Sequence, residues 1–341
     1  MAARVTELGV LDASRLSVAP MMDWTDRHCR VLHRRLSSRA LLYTEMVVAS
    51  AVVRGDAARL LRWTPEREGV VALQLGGSDP AVLAEAVRIA CGFGYHEINL
   101  NVGCPSDKVR DGRFGAVLMR EPALVAGCLA AMIRASAAEG GPPVTVKCRI
   151  GVDEQTPGDV LPDFIDRCAD AGVRQVTIHA RKAWLKGLSP KENRQVPPLD
   201  YDLAREMKAR RSDLSIVLNG GIDALSAAEA HLAQGFDGVM IGRAAYHEPG
   251  AILAAADRRV FGAPGPDADE VAAALAMMPY IDAELAGGEK LHRITRHMLG
   301  LFSGRRGARA WRRILSEGAR GPGAGPELIE RALAEVAQLA A

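Results

Sequence analysis

Eight short apolar runs, separated by segments of helical character, constrain the fold of this chain more than any other feature of its sequence. The runs are rich in Val, Ile and Leu and occupy residues 16–20, 41–46, 71–76, 97–103, 144–150, 175–180, 215–221 and 238–243. Strands that alternate with helices form a parallel sheet. Eight of them within about 250 residues predict an α/β fold closed into a (β/α)₈ TIM barrel, and an open doubly wound sheet is the alternative.

The segments between and after these runs predict helices and a second domain. The predicted barrel helices are residues 26–36, 80–91, 122–138, 159–171, 201–211 and 226–234. Thr25, the triplet Ser78-Asp79-Pro80 and Pro122 are typical of helix N-termini. A linker-like stretch, Gly-Ala-Pro-Gly-Pro-Asp, follows Phe261, and beyond it only helices are predicted, at 269–285, 290–302, 308–317 and 326–339. We therefore predict a barrel over residues 1–261 and a small all-helical C-terminal domain over 267–341.

Composition excludes several classes of protein. With 25% charged and 48% hydrophobic residues, the 341-residue chain is an ordinary globular protein and not a disordered one. Residues 1–11 lack the apolar segment of a signal peptide, and no apolar run is long enough to span a bilayer. The six cysteines form no CxxC pair and no zinc spacing with histidine. We expect a cytoplasmic protein with free thiols, no metal site, no evident protein partner and a monomeric state.

Polar side chains line one face of two central strands. Because side chains alternate along a strand, Asn99 and Asn101 share a face with Glu97, and Lys147 shares a face with Arg149 while Cys148 points away. Buried polar groups are costly unless they are used. These residues belong either to a binding site at the barrel mouth or to a satisfied polar network, in which Lys147 would pair with Glu97 or a neighbour.

The last two strands end in sequences that suit a phosphate. Gly220 and Gly221 follow Asn219, and Gly242 precedes Arg243. Glycine lets backbone N–H groups approach a phosphate, and the loops after strands seven and eight are the frequent phosphate site of such barrels.

We call these two glycine-containing strand ends, residues 219–221 and 242–243, the phosphate cradle. Other strand ends place a lysine, a histidine and an amide beside it. Together with Gln74, Lys147 and His179, the cradle indicates a receptor for flavin mononucleotide (FMN). Pro20, Met21 and Met22 would pack against the flavin, and core filling is the alternative for the two methionines. Cys104 lies in a Gly-Cys-Pro loop at the same mouth. A thiol is mostly protonated at neutral pH, so it could donate a proton.

The runs that contain these residues resemble those of the tRNA-dihydrouridine synthases, in order along nearly the whole chain. They include Ser17-Val-Ala-Pro-Met-Met-Asp-Trp-Thr-Asp26, Leu73-Gln-Leu-Gly-Gly-Ser78, Glu97-Ile-Asn-Leu-Asn-Val-Gly-Cys-Pro-Ser106, Lys147-Cys-Arg149 and His179-Ala-Arg181. Two further runs, Ala183-Trp-Leu-Lys-Gly-Leu-Ser-Pro-Lys-Glu-Asn-Arg194 and His297-Met-Leu-Gly-Leu-Phe302, resemble the bacterial subgroup that acts on D-loop uridines 20 and 20a. Cys148 departs from the Thr expected from relatives, on the face turned away from the flavin.

This resemblance implies a reaction and assigns roles to residues. NADPH would reduce the FMN, and the flavin would pass a hydride to C6 of a uracil that is turned out of the tRNA. Cys104 would protonate C5 from the opposite side, and Asn101 would help to hold the base. FMN would contact the eleven residues Pro20, Met21, Met22, Gln74, Lys147, His179, Asn219, Gly220, Gly221, Gly242 and Arg243.

Basic residues are concentrated in the predicted helical tail. Nine lie between Lys290 and Arg320, where Glu317 is the one acid. An excess of this kind suits the phosphate backbone of RNA, and a solvated basic helix is the alternative. From the family we carry the tRNA-orienting role to Lys191, Arg194, Arg309 and Arg312.

Two other functions remain open from the sequence. An FMN barrel could act on a free small molecule, as a dihydroorotate-type dehydrogenase does, although a free pyrimidine would need no basic tail. The chain could instead bind tRNA and aid its folding with no chemistry, although Cys104, Lys147 and His179 count against a pure binding role.

Overall fold

A closed barrel of eight parallel strands forms the body of the protein. The structure, a computed structural model, describes residues 12–107, 109 and 112–340, with side chains to residue 337. Residues 1–11, where we predicted no signal peptide, lie outside the described residues. The strands are β1 Leu16–Val18, β2 Leu41–Val48, β3 Val71–Gly76, β4 Glu97–Val102, β5 Val144–Arg149, β6 Gln175–His179, β7 Ser215–Asn219 and β8 Gly238–Ile241. They pair in sequence order and β1 closes the ring on β8, which confirms the TIM barrel and excludes the open sheet.

Helices surround the barrel and continue beyond it. Around the barrel lie α1 Arg27–Leu36, α2 Ala49–Arg54, α3 Ala57–Leu60, α4 Pro65–Glu68, α5 Pro80–Cys91, α6 Pro122–Ala138, α7 Pro157–Asp170, α8 Tyr201–Arg210 and α9 Leu225–Ala233. After β8 come α10 Arg243–His247, α11 Pro249–Leu253, α12 Ala256–Arg259, α13 Glu270–Leu275, α14 Met278–Ala286, α15 Leu291–Thr295, α16 Ala308–Gly318 and α17 Glu327–Ala340. No helix in the described ranges is both long and apolar enough to cross a membrane.

Capping residues explain where the main helices begin. Asp79 caps α5 by accepting from the amides of Ala81 and Val82, and Pro122 occupies the first turn of α6, as the sequence predicted. The predicted start of α1 at Thr25 was wrong. Asp26 caps this helix, while the Thr25 hydroxyl bonds the backbone of Met21. Thr25 therefore shapes the turn that follows β1.

Two of the four predicted C-terminal helices differ from the prediction, whereas those at 308–317 and 326–339 agree with α16 and α17 within one residue. The predicted helix 269–285 is split into α13 and α14, because Pro279 stands in the first turn of α14 and has no N–H to continue α13. The predicted helix 290–302 ends at Thr295 and continues as turns. Gly300 belongs to these turns, and a side chain there would lie 2.2 Å from the His247 carbonyl oxygen.

Several short helices were not predicted at all. The helices α2 to α4 lie between β2 and β3, and the helices α10 to α12 follow β8. None exceeds six residues, and a segment this short shows too little periodicity to be recognised.

Inside the barrel, apolar side chains lie near the strand starts and polar ones lie further along. Leu41, Tyr43 and Ala72 belong to a small buried cluster with Val217 and Met240. Gln74 follows Ala72 on the same face of β3 and is also buried. The apolar layer closes the lower barrel, so the functional site is confined to the C-terminal ends of the strands.

Candidate active site at the barrel mouth

The polar face of β4 is divided between structure and function. Glu97 is fully buried and accepts hydrogen bonds from Tyr43 and Thr145, both at 2.5 Å. Burial raises the pKa of Glu97. Asn99 accepts from the Gln74 amide at 2.8 Å and donates to Thr145 at 2.8 Å. The satisfied polar network therefore exists for Glu97 and Asn99, below the mouth.

Asn101 connects this network to the cysteine loop. Its side-chain amide donates to Gln74 at 2.7 Å, and its carbonyl oxygen accepts from the amides of Gly103 and Cys104 at 3.1 and 3.0 Å. The backbone oxygen of Cys104 accepts from Ala116, next to a Gly115 whose φ of 75° favours glycine. Asn101 thereby fixes the position of the half-buried Cys104 thiol relative to the barrel.

Lys147 has no acidic partner among the residues that the structure describes. Its ammonium donates to the Asn219 side chain at 2.9 Å, so the salt bridge to Glu97 considered from the sequence is not formed. Burial, together with the charge of Arg149, lowers the pKa of Lys147 to about 7. A cation held in this way is stabilised by an anionic ligand.

His179 presents an unpaired nitrogen to the mouth. The residue is 9% exposed, and its Nε2 is buried with no partner among the described residues. Burial and the charge of Arg149 lower the pKa of His179 well below the usual range, so the ring is neutral. Gly220, with φ of 112°, leaves room for this ring, because a Cβ there would lie 2.7 Å from it. A buried polar atom without a partner indicates a missing ligand.

Three arginines gather around the same mouth, and the sequence assigned no binding role to two of them, Arg149 and Arg181. Arg149 is 3% exposed and donates to three backbone carbonyls, those of Gly103, Lys182 and Asn193, at 3.0–3.2 Å. Burial lowers its pKa to about 9. The Nε atoms of Arg181 and Arg194 are buried without partners within the described ranges. None of these three arginines pairs with a described carboxylate, and only their clustering in space reveals an anion site.

The tips of β1 and β8 complete the ring of candidate cofactor residues. A Cβ on Gly242 would lie 3.6 Å from the Met21 sulfur, so the two tips are adjacent. Met21 is partly buried against the core and Met22 is 55% exposed, so core filling does not account for Met22. Arg243 begins α10 and donates to the Arg194 carbonyl at 3.3 Å. The structure thus brings the predicted residues of β1, β3, β5, β6, β7 and β8 to one mouth.

These groups suit the FMN expected from the sequence. The glycine tips of β7 and β8 carry no side chain that would cover their backbone N–H groups, and Lys147 and Arg243 supply positive charge. The orphaned His179 nitrogen and the Gln74 amide supply hydrogen bonds for a polar ring edge. Across the described ranges, no group of three His, Cys, Asp or Glu side chains could hold a metal ion.

The predicted tRNA residues lie in two separate places. Lys191 is exposed and Arg194 is half-buried, both in the insert after β6, which the fully buried Asn193 holds through bonds to Trp184 and Leu188. Arg309 and Arg312 are exposed on α16, with no ion pair to a described residue. Trp311 between them faces inward and donates to the Met298 carbonyl at 2.8 Å.

Comparison with known proteins identifies the family. Residues 17–337 match the family model described as dihydrouridine synthase. The chain belongs to the dihydrouridine synthase family. As a member it is an oxidoreductase.

Two curated relatives are similar along almost their full length. The chain is 56% identical over 322 residues to a protein of Xanthomonas axonopodis pv. citri (strain 306), which covers 94% of this chain and 93% of that protein. It is 54% identical over 326 residues to a protein of Escherichia coli (strain K12), covering 95% of this chain and 92% of that one. Both are named tRNA-dihydrouridine(20/20a) synthase.

A solved structure supports the fold independently. The chain is similar to the old yellow enzyme homologue from Zymomonas mobilis with a TM-score of 0.51 and 15% identity, covering 74% of this chain and 90% of that one. At this identity the likeness concerns the barrel fold alone.

Proposed function

We propose that this dihydrouridine synthase is a tRNA-dihydrouridine(20/20a) synthase, which reduces the C5=C6 bond of uridines 20 and 20a in the D-loop. The single observation that carries the proposal is the position of Cys104, held by Asn101 at a mouth lined with cations that pair with no described carboxylate. The names of relatives 54–57% identical over most of the chain support the same substrate.

We infer that the cofactor is FMN and the reductant NADPH. The residues that would hold FMN are the eleven predicted from the sequence, with Lys147 and Gln74 near the ring and Gly220, Gly221 and Arg243 near the phosphate. When bound, the reduced flavin supplies a hydride for C6 of the uracil ring.

The residues of the chain then supply the proton and the geometry. The Cys104 thiol donates a proton to C5, so that the hydride and this proton together saturate the C5=C6 bond. The thiolate left behind regains its proton from water. Asn101 holds the loop in place through two backbone amides, and we propose that it also contacts the base. Arg149 donates to the Gly103 carbonyl, next to Cys104, and so helps to hold the same loop.

We propose that Lys191 and Arg194, with Arg309 and Arg312, bind the phosphate backbone of the tRNA. A uracil must be turned out of the folded RNA to reach a barrel mouth. We propose that residues 1–261 form the catalytic barrel and that residues 267–341 form a helical domain that binds tRNA. We propose further that the protein is a monomer.

The test is mass spectrometry of D-loop fragments. tRNA that lacks dihydrouridine is incubated with the protein, FMN and NADPH, and we expect a gain of two hydrogens on uridines 20 and 20a. A gain elsewhere in the tRNA would keep the chemistry and overturn the positions. Oxidation of NADPH by a flavin-loaded protein with no gain in tRNA would favour a dehydrogenase of free small molecules.

A further inference from the structure

A second cationic site lies outside the mouth, in a cavity of about 520 Å³ between the barrel wall and the C-terminal helices. Its walls come from the start of α1, the end of β2, the segment around α3, and α15. It contains neither Cys104 nor any of the eleven residues proposed for FMN. We call it the arginine cavity.

The arginine cavity carries an excess of positive charge. Six arginines and three carboxylates line it, and Glu284 and Glu68, which pair with two of the arginines, reduce the excess to one positive charge. The six arginines are Arg27, Arg30, Arg59, Arg62, Arg293 and Arg296. Like charges in one cavity repel, so an arrangement of this kind favours an anionic ligand.

The arginines divide into paired and available ones. Arg27 pairs with Glu284 at 2.6 Å and Arg30 with Glu68 at 2.7 Å, and both arginines serve the fold. Arg59 and Arg62 are exposed, and their side chains form no ion pair with a described residue. On the opposite wall, the Arg293 side chain is 61% exposed with Glu289 at 3.5 Å, and the Arg296 side chain is 42% exposed although it bonds Asp26.

The cavity lies across the barrel from the insert that carries Lys191 and Arg194. In the ring of eight strands, β2 and β6 are four places apart and therefore opposite. The segment of Arg59 and Arg62 follows β2, and the insert follows β6. The helix α15, which carries Arg293, packs next to the α16 of Arg309 and Arg312. Cations thus flank the mouth on two opposite sides and along the helical domain.

We propose that Arg59, Arg62, Arg293 and Arg296 bind backbone phosphates of the tRNA and form its second anchoring surface. This inference rests on the proposed function. Guanidinium groups match phosphate geometry, and phosphate contacts position a nucleic acid without reading its sequence. A dinucleotide reductant must reach the flavin, whereas this cavity shares no residue with the flavin site. A polymer that spans the mouth can contact both sides at once.

The test compares two double variants of equal charge. Arg59→Ala with Arg62→Ala removes the two unpaired arginines, and Arg39→Ala with Arg134→Ala removes two exposed arginines near the N-terminal ends of the strands, opposite the mouth. The affinity for tRNA lacking dihydrouridine is measured against salt concentration. We expect the cavity variant to flatten the logarithmic salt slope by about 1.4 to 1.8 units, since each phosphate contact contributes about 0.7 to 0.9. The control variant keeps the wild-type slope.

Further readouts separate this proposal from its rivals. Flavin absorbance and circular dichroism of both variants should match wild type, and Arg293→Ala, on the other wall, should flatten the slope by about half as much. A wild-type slope in all cavity variants overturns the proposal. So does a raised KM for NADPH with unchanged tRNA binding, which would assign the cavity to the dinucleotide. If the wild-type protein neither binds nor reduces tRNA, the proposed function itself fails.

Discussion

At the scale of single residues, the proposed chemistry depends on Cys104. Cys104→Ala removes the proposed proton donor and leaves the cation-lined mouth intact. We expect the variant to retain FMN and tRNA affinity and to lose about 10²- to 10⁴-fold in the rate of dihydrouridine formation. Single-turnover reduction of tRNA measures the loss. Cys91→Ala, a partly exposed thiol on α5, is the matched control and should react at the wild-type rate. Normal turnover of Cys104→Ala would remove this role.

The lowered pKa of Lys147 predicts that flavin affinity depends on pH. Its pKa of about 7 in the free protein means that above pH 7 it must take up a proton before it can pair with an anionic ligand. The affinity advantage of wild type over Lys147→Met should be constant below about pH 7 and fall by up to tenfold per unit above it. The FMN phosphate titrates in the same way with both proteins, so its effect cancels when the affinity of wild type is divided by that of Lys147→Met. Fluorescence titration from pH 6 to 9 measures both, and a constant advantage would contradict the prediction.

Alternation along strands predicted the directions of individual side chains but not their partners. Lys147 and Arg149 face inward and Cys148 packs in the outer core, as the sequence indicated. That Lys147 bonds Asn219, two strands away, depends on the stagger between strands, which local sequence does not encode. The unpaired nitrogen of His179 is likewise a property of the assembled mouth.

At the scale of elements, α16 presents two predicted tRNA-binding residues, Arg309 and Arg312, to solvent. Arg309→Ala with Arg312→Ala should weaken tRNA binding and flatten its salt slope by about 1.4 to 1.8 units, with an unchanged flavin spectrum. Buried Trp311 is untouched, so the helix should remain folded. The Arg39 and Arg134 double variant again serves as control. A slope equal to that of wild type would assign the exposed face of α16 to solvent.

Long elements were predicted more successfully than short ones. All eight strands and the helices α5, α6 and α8 agree with the sequence within about two residues, because each has a clear period or cap. The split between α13 and α14 and the early end of α15 depend on Pro279 and on the close approach of Gly300 to His247. Pro279 was visible in the sequence, whereas the close approach of Gly300 to His247 is seen only in the tertiary structure.

At the scale of the whole molecule, Asp26 joins the barrel to the C-terminal helices. It caps α1 and also accepts from Arg296 at 2.8 Å and from His297 at 3.0 Å. Burial alone would raise the pKa of Asp26, but the hydrogen bond and charge of His297 outweigh it and lower the pKa well below its usual range. The domain boundary near residues 261–267 remains a prediction, although this contact ties together the two parts it would separate.

Asp26→Asn retains the cap and removes the charge. We expect a loss of about 2 kcal/mol in the free energy of unfolding at pH 7. Because the folded pKa is lowered, the benefit of the carboxylate is present above the unfolded pKa near 4 and is lost as the pH falls below it. The difference between wild type and variant should therefore narrow below about pH 4. Urea denaturation at pH 7 and pH 3.5 measures it, with exposed Asp282→Asn as control. If wild type and Asp26→Asn are equally stable at pH 7, the charge of Asp26 does not stabilise the protein.

The three-residue strand β1 has a consequence for the order of events during synthesis. It must wait for β8, the last strand of the barrel to leave the ribosome, before the ring can close. The mouth contains Pro20, which follows the first strand of the barrel, and Arg243, which follows the last. A nascent chain that is still short of β8 has no complete mouth, so a ligand that needs the whole mouth can bind only after Arg243 has left the ribosome.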